Sequence, residues 1–104
     1  MCGRAACTLA PDHIRKALGV RGQWKDQDKY KQSGNVAPSA WQPIVVQHND
    51  VREIHTMQWG LVPSWTKDIA SCNRAINARS ETVQEKPSFR ALIARKRCVI
   101  VIDG

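Results

Sequence analysis

The amino-acid sequence predicts an α+β fold, and three stretches carry that prediction. Residues 11–18 combine a helix start, an apolar stripe and a glycine stop; residues 44–59 read as two strands about a short turn; residues 98–102 form a short continuous apolar run. At 104 residues the chain fits one small domain with a core of its own.

In the helical stretch Pro11 suits the first helical position, Ile14, Ala17 and Leu18 share a face, and Gly19 follows the end. His13 falls on the surface side. Residues 21–33 are polar and charged with Trp24 and Tyr30 embedded, which predicts a long surface loop. Gly34-Asn35 has turn chemistry, so Asn35-Val36-Ala37-Pro38 is expected as an irregular segment entering a strand. Ile44-Val45-Val46-Gln47 reads as a strand and His48-Asn49-Asp50 as the turn. The stretch from Glu53 to Trp59 alternates polar with apolar, the period of a half-buried strand, so the two strands form a hairpin. Gly60 and Pro63 then break regular structure, which assigns Trp59 to the core and Trp65 to a loop.

Ser80 and Glu81 are placed to cap Val83-Gln84-Glu85, and Pro87 opens a helical pattern with Phe89, Leu92 and Ile93 on a core-facing side. Arg95-Lys96-Arg97 is a basic connector. The run Cys98-Val99-Ile100-Val101-Ile102 predicts a strand buried on both faces, and the other elements barely supply the neighbours it needs. A domain cut short at Asp103-Gly104 is the expectation.

Sixteen Lys and Arg against nine Asp and Glu give a net charge of +7, which points towards an anionic partner such as nucleic acid; a merely soluble basic protein has the same charge. Four tryptophans beside a single Phe and a single Tyr include candidates for base stacking. No apolar run approaches the ~20 residues of a membrane span. Cys2, Cys7, Cys72 and Cys98 form no C-x-x-C pair and follow no signal peptide, so reduced thiols in cytosol or nucleus are expected. A zinc site of Cys2, Cys7, His13 and Cys72 fits no structural spacing, and no metal or cofactor is expected.

The first residues, Met1-Cys2-Gly3-Arg4, hold the distinctive chemistry. Cysteine is small enough for a preceding initiator methionine to be removed, which leaves a free α-amine beside the thiol. Such groups titrate near ~8 and ~8.5, so both lie close to their reactive forms at neutral pH. An aldehyde meeting this aminothiol forms an imine, and the thiolate closes a five-membered thiazolidine. Taken alone, a second-position cysteine is more often an idle chain end.

Five motifs in order change that weighting: Met1-Cys2-Gly3-Arg4, Asn35-Val36-Ala37-Pro38, Trp59-Gly60-Leu61-Val62-Pro63-Ser64-Trp65, Ile76-Asn77-Ala78-Arg79-Ser80-Glu81-Thr82, and Arg97-Cys98 through Asp103-Gly104. With them the chain resembles the SRAP family of abasic-site processing proteins, along its whole length but over only about the N-terminal half of the family's domain. The resemblance implies a mixed, mainly antiparallel, barrel-like fold with short helices. It implies covalent cross-linking to abasic sites in single-stranded DNA through Cys2, with Asn77 at the reacting sugar. Arg4 and Arg79 are implied as phosphate ligands, Trp65 as the aromatic stacking at the lesion, and Asn35 as part of a motif near the active site. It also implies self-removal of Met1, the origin of the peptidase label, and a lyase-type side activity. Replication-fork partners go with it, in the nucleus of a eukaryote or the cytoplasm of a bacterium. Gly34 stands where the family commonly has tyrosine. The family's aromatic-Glu-Trp motif and later histidine, which assist ring opening, proton transfer and reversal, would follow Gly104. Two other readings are a basic strand-binding fragment without chemistry and a chain that does not fold alone.

Overall fold

The computed structural model describes residues 2–69 and 75–104. Its elements run β1 (Ala5–Cys7), α1 (Pro11–Leu18), β2 (Trp24–Lys25), β3 (Ser33–Val36), β4 (Trp41–His48), β5 (Val51–Gln58), α2 (Pro87–Arg90) and β6 (Val99–Ile100). β1 and β3 pair as an antiparallel ribbon, and a second sheet has the order β2-β5-β4-β6. All its pairings are antiparallel except β2 with β5. The α+β class is as the sequence predicts, although the sheets do not close into a barrel among the described residues.

Local signals set α1 and the hairpin. Gly19 takes φ 63° and its N–H donates to the Lys16 carbonyl at 3.3 Å, the left-handed helix stop that glycine adopts without strain. Of the predicted apolar face, Ile14 is buried and Leu18 packs at the edge of the core, while Ala17 is exposed. β4 and β5 pair over their full length, from Trp41 opposite Gln58 to His48 opposite Val51. Asn49 and Asp50 sit at φ 50° and 63°, the double left-handed turn whose twist matches that of the strands.

Residues 21–33 depart from the predicted surface loop. Trp24 and Tyr30 are buried and belong to the main apolar cluster with Cys7, Ile14, Val20, Val36 and Ile54. Trp24 lies opposite Ile54 in β2, its Nε1 donates to Thr56 Oγ1 at 2.8 Å, and its ring stacks on Tyr30 with centroids 5.9 Å apart. The Arg15 guanidinium sits 5.5 Å from the Trp24 ring centroid and donates to the Gly22 carbonyl. The segment reads as a loop because its charged residues all face solvent, which leaves two aromatics to do the packing. The irregular entry at Asn35 is likewise a strand, β3. Gly34 has open space where a Cβ would stand, so no neighbour requires glycine there.

The Tyr30 hydroxyl donates to the Leu9 carbonyl at 2.7 Å and contacts the Cys7 carbonyl and Sγ at 3.2 Å each. Burial first, and then the neighbouring Cys7 thiol, push the phenol well above its ordinary range. The stability from keeping this phenol protonated is fully present below about pH 10. It is lost as the pH rises towards the folded-state pKa, because the unfolded chain releases the proton first. Tyr30 is the sole tyrosine. Absorbance at 295 nm should therefore show no phenolate near pH 10 in the native protein and an ordinary titration in urea. Tyr30→Phe should cost about 1–2 kcal/mol at neutral pH, since it leaves a buried carbonyl unpaired, and should flatten the alkaline loss.

The C-terminal stretch corrects a second expectation. Only Val99 and Ile100 form a strand, paired on one side with β4, and they are 63% and 56% exposed. The run is therefore not buried on both faces: an apolar sequence states that neighbours are wanted, and among the described residues β6 has one. The chain then crosses to the other sheet. Ala6 N–H donates to the Gly104 carbonyl at 2.7 Å, and Asp103 and Gly104 N–H donate to the Ala6 carbonyl. Asp103 accepts from the Thr8 hydroxyl and the Thr8 N–H, bonds that hold its carboxyl below the usual range. The predicted cap at Ser80 and Glu81 leads into turns rather than a helix. Beyond α2, successive turns carry Leu92 and Ile93, which with Phe89 are half-buried and lie outside the main cluster.

Candidate nucleic-acid interface

The ribbon of β1 and β3 positions the N-terminus. Ala5 lies opposite Val36, so Arg4 and Asn35 are diagonal neighbours, a separation that a long side chain spans. Arg4 Nη1 donates to Asn35 Oδ1 at 3.2 Å, and the Asn35 N–H donates to Ser33 Oγ at 3.0 Å. Asn35 thus acts on Arg4, holding one edge of the guanidinium and leaving its remaining N–H groups to solvent. No carboxylate pairs with Arg4 among the described residues; the ion pairs there are Lys29 with Asp26 and His55 with Glu53.

Cys2 is exposed, and two contacts fix it. Asn77 Nδ2 donates to the Cys2 carbonyl at 2.9 Å across 75 residues of sequence, and the Cys2 thiol donates to the Arg4 carbonyl at 3.3 Å. Asn77 therefore clamps the carbonyl arm of the Cys2 Cα, while the thiol arm rests on the Arg4 carbonyl. An isolated backbone bridge lies two residues before Asn77: the Leu61 N–H donates to the Ala75 carbonyl at 2.8 Å, tying the segment that reaches Asn77 to the loop after β5. The same loop carries Trp65, 61% exposed, with the Thr66 N–H donating to the Pro63 carbonyl to close its turn. Trp59, the first residue after β5, packs against the core as predicted.

Of the six residues that the sequence selects, Cys2, Arg4, Asn35 and Asn77 are joined by hydrogen bonds. Trp65 lies four residues past Leu61, whose bridge to Ala75 ties that loop to the segment carrying Asn77. Arg79 is exposed two residues beyond Asn77, and its guanidinium contacts none of the other five. Arg74 and Cys72 lie outside the described residues. Cys2, Cys7 and Cys98 are free thiols, and no metal-binding cluster occurs among the described residues. No helix described is long and apolar enough to cross a membrane. Two shallow surface grooves, one along Asp12, His13, Lys16 and Ala17 and the other between Leu18 and Val99, share no residue with this constellation. Cys2, Arg4 and Trp65 are themselves exposed.

The family model for SOS response associated peptidase (SRAP) matches residues 1–104. The chain is 36% identical over 126 residues to the abasic site processing protein HMCES of Xenopus tropicalis, covering 100% of this chain and 38% of that protein. It is 37% identical over 104 residues to the abasic site processing protein YoqW of Bacillus subtilis, covering 100% of this chain and 46% of that one. A crystal structure of a Bordetella bronchiseptica protein superposes with a TM-score of 0.72 at 23% identity, over 98% of this chain and 48% of that chain. The chain thus spans less than half the length of these relatives.

Proposed function

The chain belongs to the SRAP family, and from that premise we propose that it captures abasic sites in single-stranded DNA by closing a thiazolidine on Cys2. The observation that carries the reading is the hydrogen bond from Asn77 to the Cys2 carbonyl, which orders a chain end that would otherwise fray. The naming of the relatives as abasic site processing proteins supports the substrate class.

In this reading Met1 is first removed, since an amide nitrogen does not condense with an aldehyde. The Cys2 amine attacks C1′ of the ring-opened sugar, and water leaves to give the imine. The thiol rotates away from the Arg4 carbonyl, Sγ adds to C1′, and its proton passes to the ring nitrogen. The C1′=N double bond becomes a single bond as the C1′–S bond forms, so one water is the only by-product. Pre-set geometry supplies the rate, because both nucleophiles sit on one residue whose carbonyl is clamped. Arg4, oriented by Asn35, and Arg79 hold phosphates, and Trp65 stacks beside the lesion. The family resemblance gives ring opening, proton transfer and reversal of the adduct to a glutamate and a histidine further along the domain, and attributes removal of Met1 to the protein itself.

The test is intact mass spectrometry of the mature protein after incubation with a single-stranded oligonucleotide carrying one abasic site. The expected adduct equals protein plus oligonucleotide minus one water and survives denaturation without reductant. Salt-sensitive binding with no adduct would instead make this a strand-binding module without chemistry.

A further inference from the structure

Two of the four tryptophans are exposed, and the motifs account for only one of them. Trp24 and Trp59 serve the core, Trp65 lies in the lesion loop, and Trp41, at the start of β4, is 36% exposed. Trp41 is followed directly by Gln42, Pro43 and Ile44, all buried. Trp41 is thus the exposed residue at the start of β4, beside the strand's most buried stretch; exposure returns only at the far end, at Gln47 and His48. The Lys29 ammonium lies 4.5 Å from the Trp41 ring centroid. Its pairing with Asp26 is at 4.0 Å between side chains more than two-fifths exposed, a contact of little energy that leaves the charge available.

The position of this pair matters as much as its chemistry. Trp41 lies opposite Gln58, and the Trp59 N–H donates to the Ala40 carbonyl, so Trp41 stands at the open end of the hairpin. From that end the chain continues through Leu61, bridged to Ala75, into the Trp65 loop. In the other direction Trp41 is six residues from Asn35, no more than ~20 Å even for a fully extended segment. The ring is therefore within reach of a strand only a few nucleotides from Cys2.

We propose that Trp41 and Lys29 form a second single-strand subsite, in which a base flanking the lesion stacks on the indole and the ammonium meets an adjacent phosphate. Aromatic stacking beside a cation is how proteins hold single strands without reading sequence, since every base has a π-face. Such a subsite would keep the strand seated through the slow chemical steps. It rests on the abasic-site reading for its register with Cys2, but not for its affinity.

Binding of a fluorescently labelled dT15 by the full chain, followed by anisotropy across a salt series, tests the subsite without any abasic site. Trp41→Ala should weaken binding by about 5- to 150-fold, the range expected for one stacked base, and Trp41→Phe should recover most of it. Lys29→Met should lower the slope of log affinity against log salt by about 0.7, the loss of one single-strand phosphate contact. Wild-type affinity in Trp41→Ala overturns the proposal. Should that variant lose its circular dichroism spectrum, Lys29→Met decides, and an unchanged slope overturns it. Wild-type protein that binds dT15 through Trp41 yet forms no adduct on abasic DNA would sink the capture reading and leave the subsite standing.

Discussion

Mature protein carrying Cys2→Ser is expected to form no denaturation-stable adduct with abasic single-stranded DNA, a loss of roughly a thousandfold or more, as when a covalent nucleophile is removed. The substitution is informative because it separates two bonds. Serine keeps the α-amine, so the imine at C1′ still forms, but a hydroxyl is a weak nucleophile at neutral pH and does not close a stable ring. Borohydride should therefore trap serine protein and DNA together, while samples without reductant should show none. Wild-type protein should need no reductant. A chain retaining Met1 should give no unreduced adduct, because its Cys2 nitrogen is an amide and its free α-amine, on Met1, has no thiol on the same residue to close the ring. A stable unreduced adduct from Cys2→Ser would place the bond elsewhere and remove Cys2 from the mechanism. Folding does not confuse the result, since Cys2 is exposed and its thiol's hydrogen bond among the described residues is to the nearby Arg4 carbonyl.

The contrast between what was legible and what was not follows the range of the interactions. α1 and the hairpin turn are written locally, in Pro11, Gly19 and the Asn49-Asp50 pair, and they stand where the sequence puts them. Trp24 and Tyr30 misread as loop residues because their burial depends on Ile54 and Thr56 in β5 and on the Leu9 carbonyl, partners that no local pattern announces. The apolar run at 98–102 gave the wish for neighbours and no count of them, so its exposure on β6 was equally unreadable. At the site, chemistry identified Cys2 and motif order identified Asn77, but their contact across 75 residues is a product of the fold. Motif order brings Asn35 into the site, and only the register of β1 on β3 shows that it bonds Arg4. Trp41 escaped because it sits in no motif; its exposure and its place at the end of the hairpin, both consequences of pairing, single it out.

Asn77→Ala is expected to slow adduct formation by about a hundredfold at saturating protein while leaving the final yield unchanged. The amide nitrogen of Asn77 is the only side-chain donor on the Cys2 carbonyl among the described residues, and its loss frees a chain end to rotate. Misplacement of a nucleophile by about 1 Å can cost on this scale. The thiazolidine itself does not involve Asn77, so the same product accumulates given time, and the effect belongs to the rate alone. Asn77→Asp should be no better than Ala, because a carboxylate offers the Cys2 carbonyl an acceptor where a donor is needed. Stability should hardly move, since the bond is solvent-exposed and contributes about 1 kcal/mol at most. A purely structural role predicts the reverse pattern, a fall in melting temperature with little change in rate. A rate within twofold of wild type in Asn77→Ala, with the fold intact, would show that the chain end is ordered by something other than this contact.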